Sequence, residues 1–290
     1  MSSDFPSDND IGPAPSEDWS SAGLEVAVVG VSDHDGMLHG DRAGRSSWAA
    51  MQEYTDLLNG RTALQAHPVL VPAGRLRAIA DHLADLPSTV TAIALIGSPP
   101  AESLAVQAIT ASTECPLVIT ESDAFNATLT AAVSTALRRT GTPSGRGRLA
   151  VIGLDRAPRL VPVLLASGAG NLTIYHDHDP DPALRRQLAD EHDIVIDLTA
   201  GSSARPGTVT APDNPFGYAA LALPGLLSAL CGHGAATVTS GVLTAAAQAI
   251  CLLTPDTRAV PDLRDNRITL AVAHHVGASL TPELPPAPHL

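Results

Sequence analysis

The stretch that most constrains the fold is residues 147–201. There an apolar run, Leu149–Ile152, meets Gly153, a helical segment Ala157–Ala166 ends at Ser167-Gly168, and a second apolar run, Leu172–Tyr175, stops at acidic residues. After a further helical segment a third run, Ile194–Leu198, follows. Short apolar strands separated by helices must lie parallel, because only a crossover of a dozen or more residues can return the chain to the same edge. This is the pattern of a nucleotide-binding half-sheet, whose ligand edge lies where the first strand meets the first helix. Here that edge is Gly153-Leu154-Asp155-Arg156-Ala157-Pro158. In a G-x-G-x-x-G loop the second glycine admits the pyrophosphate and the third lets helix pack on strand. Gly153 keeps the first place, but Asp155 and Pro158 hold the other two, so an expected anion site carries a carboxylate.

The 290 residues suffice for one large or two modest domains, and 44% hydrophobic residues supply real cores. With only 3% aromatic residues, those cores must be built from Ala, Val and Leu, as helices packed on parallel sheets are. The net charge of −13 argues against nucleic acid, which needs clustered positive charge. All 17 basic residues are arginine, which excludes lysine as a Schiff-base former, general base or phosphate ligand. Cys115, Cys231 and Cys251 are odd in number, widely spaced and set in apolar stretches, the pattern of buried thiols in a reducing compartment. The N-terminus lacks the basic and apolar regions of a signal peptide, and no apolar run reaches the length of a membrane span. The expected location is cytoplasmic, with no membrane partner.

Residues 1–22, rich in Ser, Asp and Pro, are expected to form a disordered acidic tail. Leu24–Val31 reads as a buried strand. Ser46–Leu58 has helical spacing, with Trp48, Met51, Thr55 and Leu58 on one face. Strands are predicted at Pro68–Val71, Val90–Ile96 and Leu117–Ile119, and helices at Ala73–Leu86, Ala101–Ala111 and Ala124–Arg139. Residues 23–140 thus form a first alternating α/β unit. The Gly141–Gly147 segment is a hinge, and 141–280 form a second unit that ends in helices at Phe216–Leu230, Val238–Leu253 and Ile268–Leu280. The segment Ala200–Pro215 reads as a polar loop, and 281–290 as an irregular tail.

In this order the chain resembles the bacterial malic enzymes over about Leu24 to Leu280. Val26-Ala27-Val28-Val29 followed by Gly40-Asp41 and Gly44 is similar to the family's opening strand and G-D-I-G turn. Glu114–Leu137 resembles the segment D-I-P-V-F-H-D-D-Q-H-G-T-A and its long helix, and Arg139-Thr140-Gly141 the helix end that follows. Leu221-Ala222-Leu223-Pro224-Gly225 looks like L-A-F-P-G. Pro261-Asp262 with Asp265 and Arg267 resembles the closing P-D-P-F-D-P-R. The resemblance implies an α/β fold of two units, the second Rossmann-like and of the NAD(P)-binding type, shortened between its third strand and Phe216. It also implies malate oxidation and decarboxylation, using a lysine base, a tyrosine acid and carboxylates on a divalent cation.

Carried over position by position, that chemistry is missing. The family's lysine falls on Tyr54, and a phenol with a pKa near ~10 does not replace an ammonium whose pKa drops readily on burial. The metal-binding Glu-Asp pair falls on Leu95 and Ile96, which offer a hard cation nothing. The third carboxylate falls on Glu121, and the substrate-binding asparagine on Ala219. Within the chain only the polar tail precedes Leu24, leaving no counterpart of the tyrosine acid. No catalytic or metal residue is therefore assigned.

For NAD or NADP, the candidate cofactors, the binding residues are Gly153, Arg156 reaching a phosphate, and Asp177 at the ribose. The opposing expectation is that Asp155 caps a helix and Asp177 is solvated. The His176-Asp177-His178-Asp179 run with Asp181 reads as a solvated loop, and His274-His275 cannot both face one site. Ser122 and Asp123 lack the elbow motif of a hydrolase. The expectation is a degenerate protein that binds a small carboxylate or nucleotide, forms a homodimer or associates with a malic enzyme, and acts by binding or regulation. The alternative is an oxidoreductase on malate or another small 2-hydroxy acid, with Glu121, Tyr54 or Asp123 as its acid-base group.

Overall fold

The computed structural model describes residues 23–32, 47–176, 181–199, 207–212 and 214–281. The expected acidic tail, the Gly40-Asp41 and Gly44 match, Asp177 and the 282–290 tail lie outside the described residues.

Strand β1 (Glu25–Ser32) pairs in parallel with β2 (Gln65–Pro72) on one side and β3 (Val90–Ile96) on the other, and β3 pairs with β4 (Leu117–Thr120). The order β2-β1-β3-β4 puts the switch point between β1 and β3. The inner strands are near-continuous apolar runs because both faces are covered. Val26, Val28, Ala92, Ala94 and Ile96 enter one core, while Ala27, Val29, Ile93 and Leu95 enter the other. Helices α2 (Leu76–Ala84) and α3 (Pro100–Thr110) close the second face. Pro68 is tolerated because β2 is an edge strand, where a missing N–H costs no ladder bond.

Helix α1 (Ser47–Arg61) buries Ala50, Met51, Tyr54, Thr55 and Leu58. Trp48, expected on that face, is 57% exposed. At ~100° per residue it lies at the margin of the buried stripe, and in the first turn no preceding turn flanks it.

The second sheet repeats the plan. Strand β5 (Arg148–Ile152) pairs in parallel with β6 (Asn171–Tyr175) and β7 (Ile194–Asp197), giving the order β6-β5-β7-β8. The last strand, β8 (Thr208–Thr210), lies inside the segment expected to be a loop, and three residues are too few to show an alternation. The helix expected at Ala157–Ala166 is split. A 3-10 turn, Leu154–Arg156, comes first, and α5 (Leu160–Ala166) follows. Pro158 accounts for the break, since its ring disfavours a helical residue before it, and Ala157 has φ −145° and ψ 66°. Helix α6 (Pro182–Glu191) joins β6 to β7 and is capped by Asp181, whose carboxylate accepts from the Ala183 and Leu184 N–H groups.

Helix α4 (Glu121–Thr140) stands between the two sheets. Its Ala124, Ala127 and Ala131 enter the first core, and its Phe125, Leu129, Val133 and Leu137 the core of the second sheet. Three further helices, α7 (Phe216–Gly232), α8 (Ser240–Leu253) and α9 (Arg267–Leu280), follow in sequence from the second unit. They bury their apolar faces in the core shared by β1, β3, α1 and α4. The second sheet is covered by α4, α5 and α6, whereas the first-sheet face beside α1 and α4 is closed by these helices. Arg138 near the end of α4 donates to the Cys251 and Thr254 carbonyls, binding carbonyls at the C-terminus of α8.

Helices α7 and α9 meet at Gly225, where an added Cβ would lie 2.6 Å from Val272 Cβ and 2.7 Å from the Thr269 carbonyl oxygen. Both contacts are rigid, so the helices would have to move apart. Gly225→Ala is expected to destabilise the protein by about 1–3 kcal/mol in a denaturant titration.

Candidate functional site

In a doubly wound sheet ligands bind beyond the carboxyl ends of the strands at the switch point. At the end of β3 and β4 the chain places Gly97 and Glu121. The Glu121 carboxylate accepts from the Tyr54 phenol of α1 on one oxygen and from the Gly97 N–H, at 3.1 Å, on the other. Tyr54 is fully buried, with Phe216 edge-on at a centroid distance of 4.8 Å. A buried phenol needs a partner for its hydroxyl, and a carboxylate is a strong acceptor. The position matched to the family's lysine and the one matched to its third carboxylate are thus brought together and bonded to each other.

Leu95 and Ile96 are brought to no site. They point into the cores on opposite faces of the first sheet, and Ala219 is buried in α7. Among the described residues no group of three His, Cys, Asp or Glu side chains is placed to hold a metal ion. His274 and His275 are neighbours on α9 with ring centroids 5.9 Å apart. Ser122 accepts from the Asn126 amide through both its carbonyl and its hydroxyl oxygen.

Asp123 is buried at the start of α4. Its carboxylate accepts from the Thr120 N–H and hydroxyl, while the Thr120 hydroxyl oxygen accepts from the Asp123 N–H, a reciprocal cap. It also accepts from the Gln107 amide at 2.8 Å and pairs with Arg159 at 3.2 Å. The Arg159 guanidinium donates in turn to the Gln107 side-chain oxygen (2.6 Å) and the Val238 carbonyl (2.8 Å). Sequence reading missed this network, because its bonded partners lie up to 79 positions apart and only the Thr120–Asp123 cap is local.

At the edge of the second sheet Gly153 has φ +74°, and a Cβ there would lie 2.6 Å from Thr199 Cγ2. Glycine is thus required by the turn and by the approach of the segment after β7. Arg156 donates to the Leu198 carbonyl, and Asp155 is exposed. Asp197, which ends β7, is a second residue that sequence reading passed over. Buried, it accepts from Arg185 (2.9 Å) and from the Thr199 N–H (3.0 Å) and hydroxyl (2.7 Å). The signal was an acidic residue closing an apolar strand, Ile194–Asp197, with arginine on the preceding helix.

No protein-family model matches the chain, and no curated protein matches it. Solved structures do. The chain is similar to the malic enzyme of Entamoeba histolytica over 90% of its own length and 70% of that chain, with TM-score 0.71 and 13% identity. It is similar to the NAD-dependent malic enzyme of Thermotoga maritima (89% and 85%, TM-score 0.69, 16% identity). The malic enzyme of Pyrococcus horikoshii matches 91% of this chain and 77% of its own (TM-score 0.70, 14% identity). The chain therefore has the malic-enzyme fold, an α/β architecture with two parallel four-stranded sheets.

Two substitutions probe the bonds described. Tyr54→Phe leaves one Glu121 oxygen without its phenol donor and is expected to lower stability by about 1–3 kcal/mol. Asp123→Ala strands the Arg159 charge in a largely buried setting and is expected to cost more, about 3–5 kcal/mol. Urea unfolding of both variants beside the parent protein checks the values and their order.

Proposed function

We propose that this chain is a malic-enzyme-fold protein that does not oxidatively decarboxylate malate and acts by binding or regulation. The observation that carries this reading is Tyr54, which stands where the resemblance puts the catalytic lysine and spends its hydroxyl on Glu121. Oxidation of the malate hydroxyl needs a base that takes up its proton near neutral pH. No lysine is present in 290 residues to do so.

A divalent cation does not fit the residues at the family's metal positions. Leu95 and Ile96 have no donor atom and are turned into opposite cores, and both Glu121 oxygens are already bonded. No step is derived through a metal. A nicotinamide dinucleotide fits poorly as well. The face of Gly153 that would approach a pyrophosphate is packed by Thr199, and Arg156 is held on the Leu198 carbonyl. Helix α5 does not start until Leu160, so it has no N-terminus beside Gly153 to attract an anion. Small carboxylates and nucleotides remain the ligand classes of this reading, with a homodimer or an association with a malic enzyme as its assembly.

The second reading, a nicotinamide-dependent oxidoreductase on a small 2-hydroxy acid, is favoured by one observation. The Tyr54–Glu121 pair is a phenol and a carboxylate within proton-transfer distance at the carboxyl edge of the sheet. Of the two it is the weaker, because Tyr54 is fully buried and substrate cannot reach its hydroxyl without movement of α1 or Phe216.

Purified protein mixed with malate, Mn²⁺ and NAD or NADP is expected to give no reduced nicotinamide by absorbance, and robust turnover would overturn the first reading. Calorimetric titration with NAD and NADP separates the two: no heat of binding removes the oxidoreductase.

A further inference from the structure

A pocket of about 290 Å³ opens on the side of the molecule formed by α3, β4 and the first residue before α5. It has room for roughly ten water molecules. Its walls come from three separated segments. Leu104 and Ala108 belong to α3, Pro116 and Val118 to the entry of β4, and Val238 to the connection between α7 and α8. Arg159 lies among them, joining the second half of the chain to the first.

The charge of this pocket is one-sided. Gln107 is buried, its amide nitrogen donating to the Val118 carbonyl and Asp123 and its side-chain oxygen accepting from Arg159. Arg159 meets Asp123, Gln107 and Val238 among the described residues, one contact per nitrogen. A guanidinium has five N–H donors, so these three contacts leave donor capacity on a side chain that lines the pocket. The buried Asp123 already balances the charge, and no other charged side chain lines the walls. What remains is a concave, mostly apolar volume edged by the hydroxyl side chains of Thr110, Thr113 and Thr237, with Arg159 its one charged head among the described residues, the common makeup of small-molecule sites.

We propose that this pocket binds a small molecule with an apolar body and an oxygen acceptor, of the carboxylate or carboxamide kind, whose oxygen is received by Arg159. Bound there, the ligand touches α3, β4, the α7–α8 connection and Arg159 at once. It therefore braces the seam that the Asp123–Arg159 pair holds. The site is distinct from the Tyr54–Glu121 edge and does not depend on how that edge functions.

Cys115 also lines the pocket and reports its occupancy. Burial pushes its thiol above the ordinary value, and that of Cys231 further, to about 11, so Cys231 is a slow internal control. The experiment measures alkylation of Cys115 in the full chain, by peptide mass spectrometry at mildly alkaline pH, with benzoate or benzamide as probe. At a probe concentration of ten times its dissociation constant, Cys115 should react about tenfold more slowly. The rate at Cys251 should stay unchanged.

Protection by either probe supports the proposal, and which one protects identifies the head group. Ala108→Trp, at an exposed position that fills the volume without entering a core, should abolish the protection. Arg159→Lys keeps the charge beside Asp123 but removes the planar fork, and should weaken protection measured against that variant's own rate without probe. Absence of protection by both probes at millimolar concentration would overturn the proposal, as would protection that persists undiminished in Ala108→Trp.

Discussion

The structure depends on one helix being shared by two cores. Helix α4 gives alanines to the first core and larger side chains to the second, so neither sheet can be closed without it. Small residues on one flank let the first sheet and α7 come close, while Phe125, Leu129 and Leu137 fill the wider space toward β5 and β7. Its N-terminus is fixed by the reciprocal cap of Thr120 and Asp123, and its C-terminal end is tied through Arg138 to α8. A charge as buried as Asp123 requires a partner, and Arg159 supplies it from the second half of the chain. The cap, the ion pair and the seam between the two units are thus one set of contacts.

That arrangement bears on function. In a doubly wound fold the carboxyl edges of the strands are kept open by loops and polar residues aimed outward. Here several groups at those edges are bonded or packed within the chain. Tyr54 and Gly97 occupy the carboxylate of Glu121, Thr199 packs on Gly153, Arg156 is held on a backbone carbonyl, and Asp197 is neutralised by Arg185. In each of these contacts a group near the carboxyl edge is met by another part of the same chain. The accessible volume beside Arg159 lies elsewhere, toward α3.

The alternation of strands and helices was legible because fully covered parallel strands read as unbroken apolar runs, and every strand of the first sheet was placed within a few residues. The 3-10 break before α5 was half legible. Pro158 announced it, but the apolar spacing of the residues around it argued for one continuous helix. Strand β8 was hidden by its length and its polar flanks. Trp48 misled because periodicity gives a face but not how far the neighbouring layer extends. At the edges, the positions of Tyr54 and Glu121 came from the order of matched segments, and only the folded chain put their side chains in contact.

What the sequence alone determined is the repertoire: an α/β chain with Ala-, Val- and Leu-rich cores, no lysine for base chemistry, and one glycine where the nucleotide loop needs three. These are facts of composition and local spacing, which survive without knowledge of distant contacts. Tertiary structure decided which half of the chain owns which helix, for α7, α8 and α9 return to the first sheet. It also decided the partners of Asp123, Asp197 and Arg156. The reason is that a buried charge or a buried helix face is satisfied by whatever comes within reach in space, and nothing in the spacing along the chain records which group that will be.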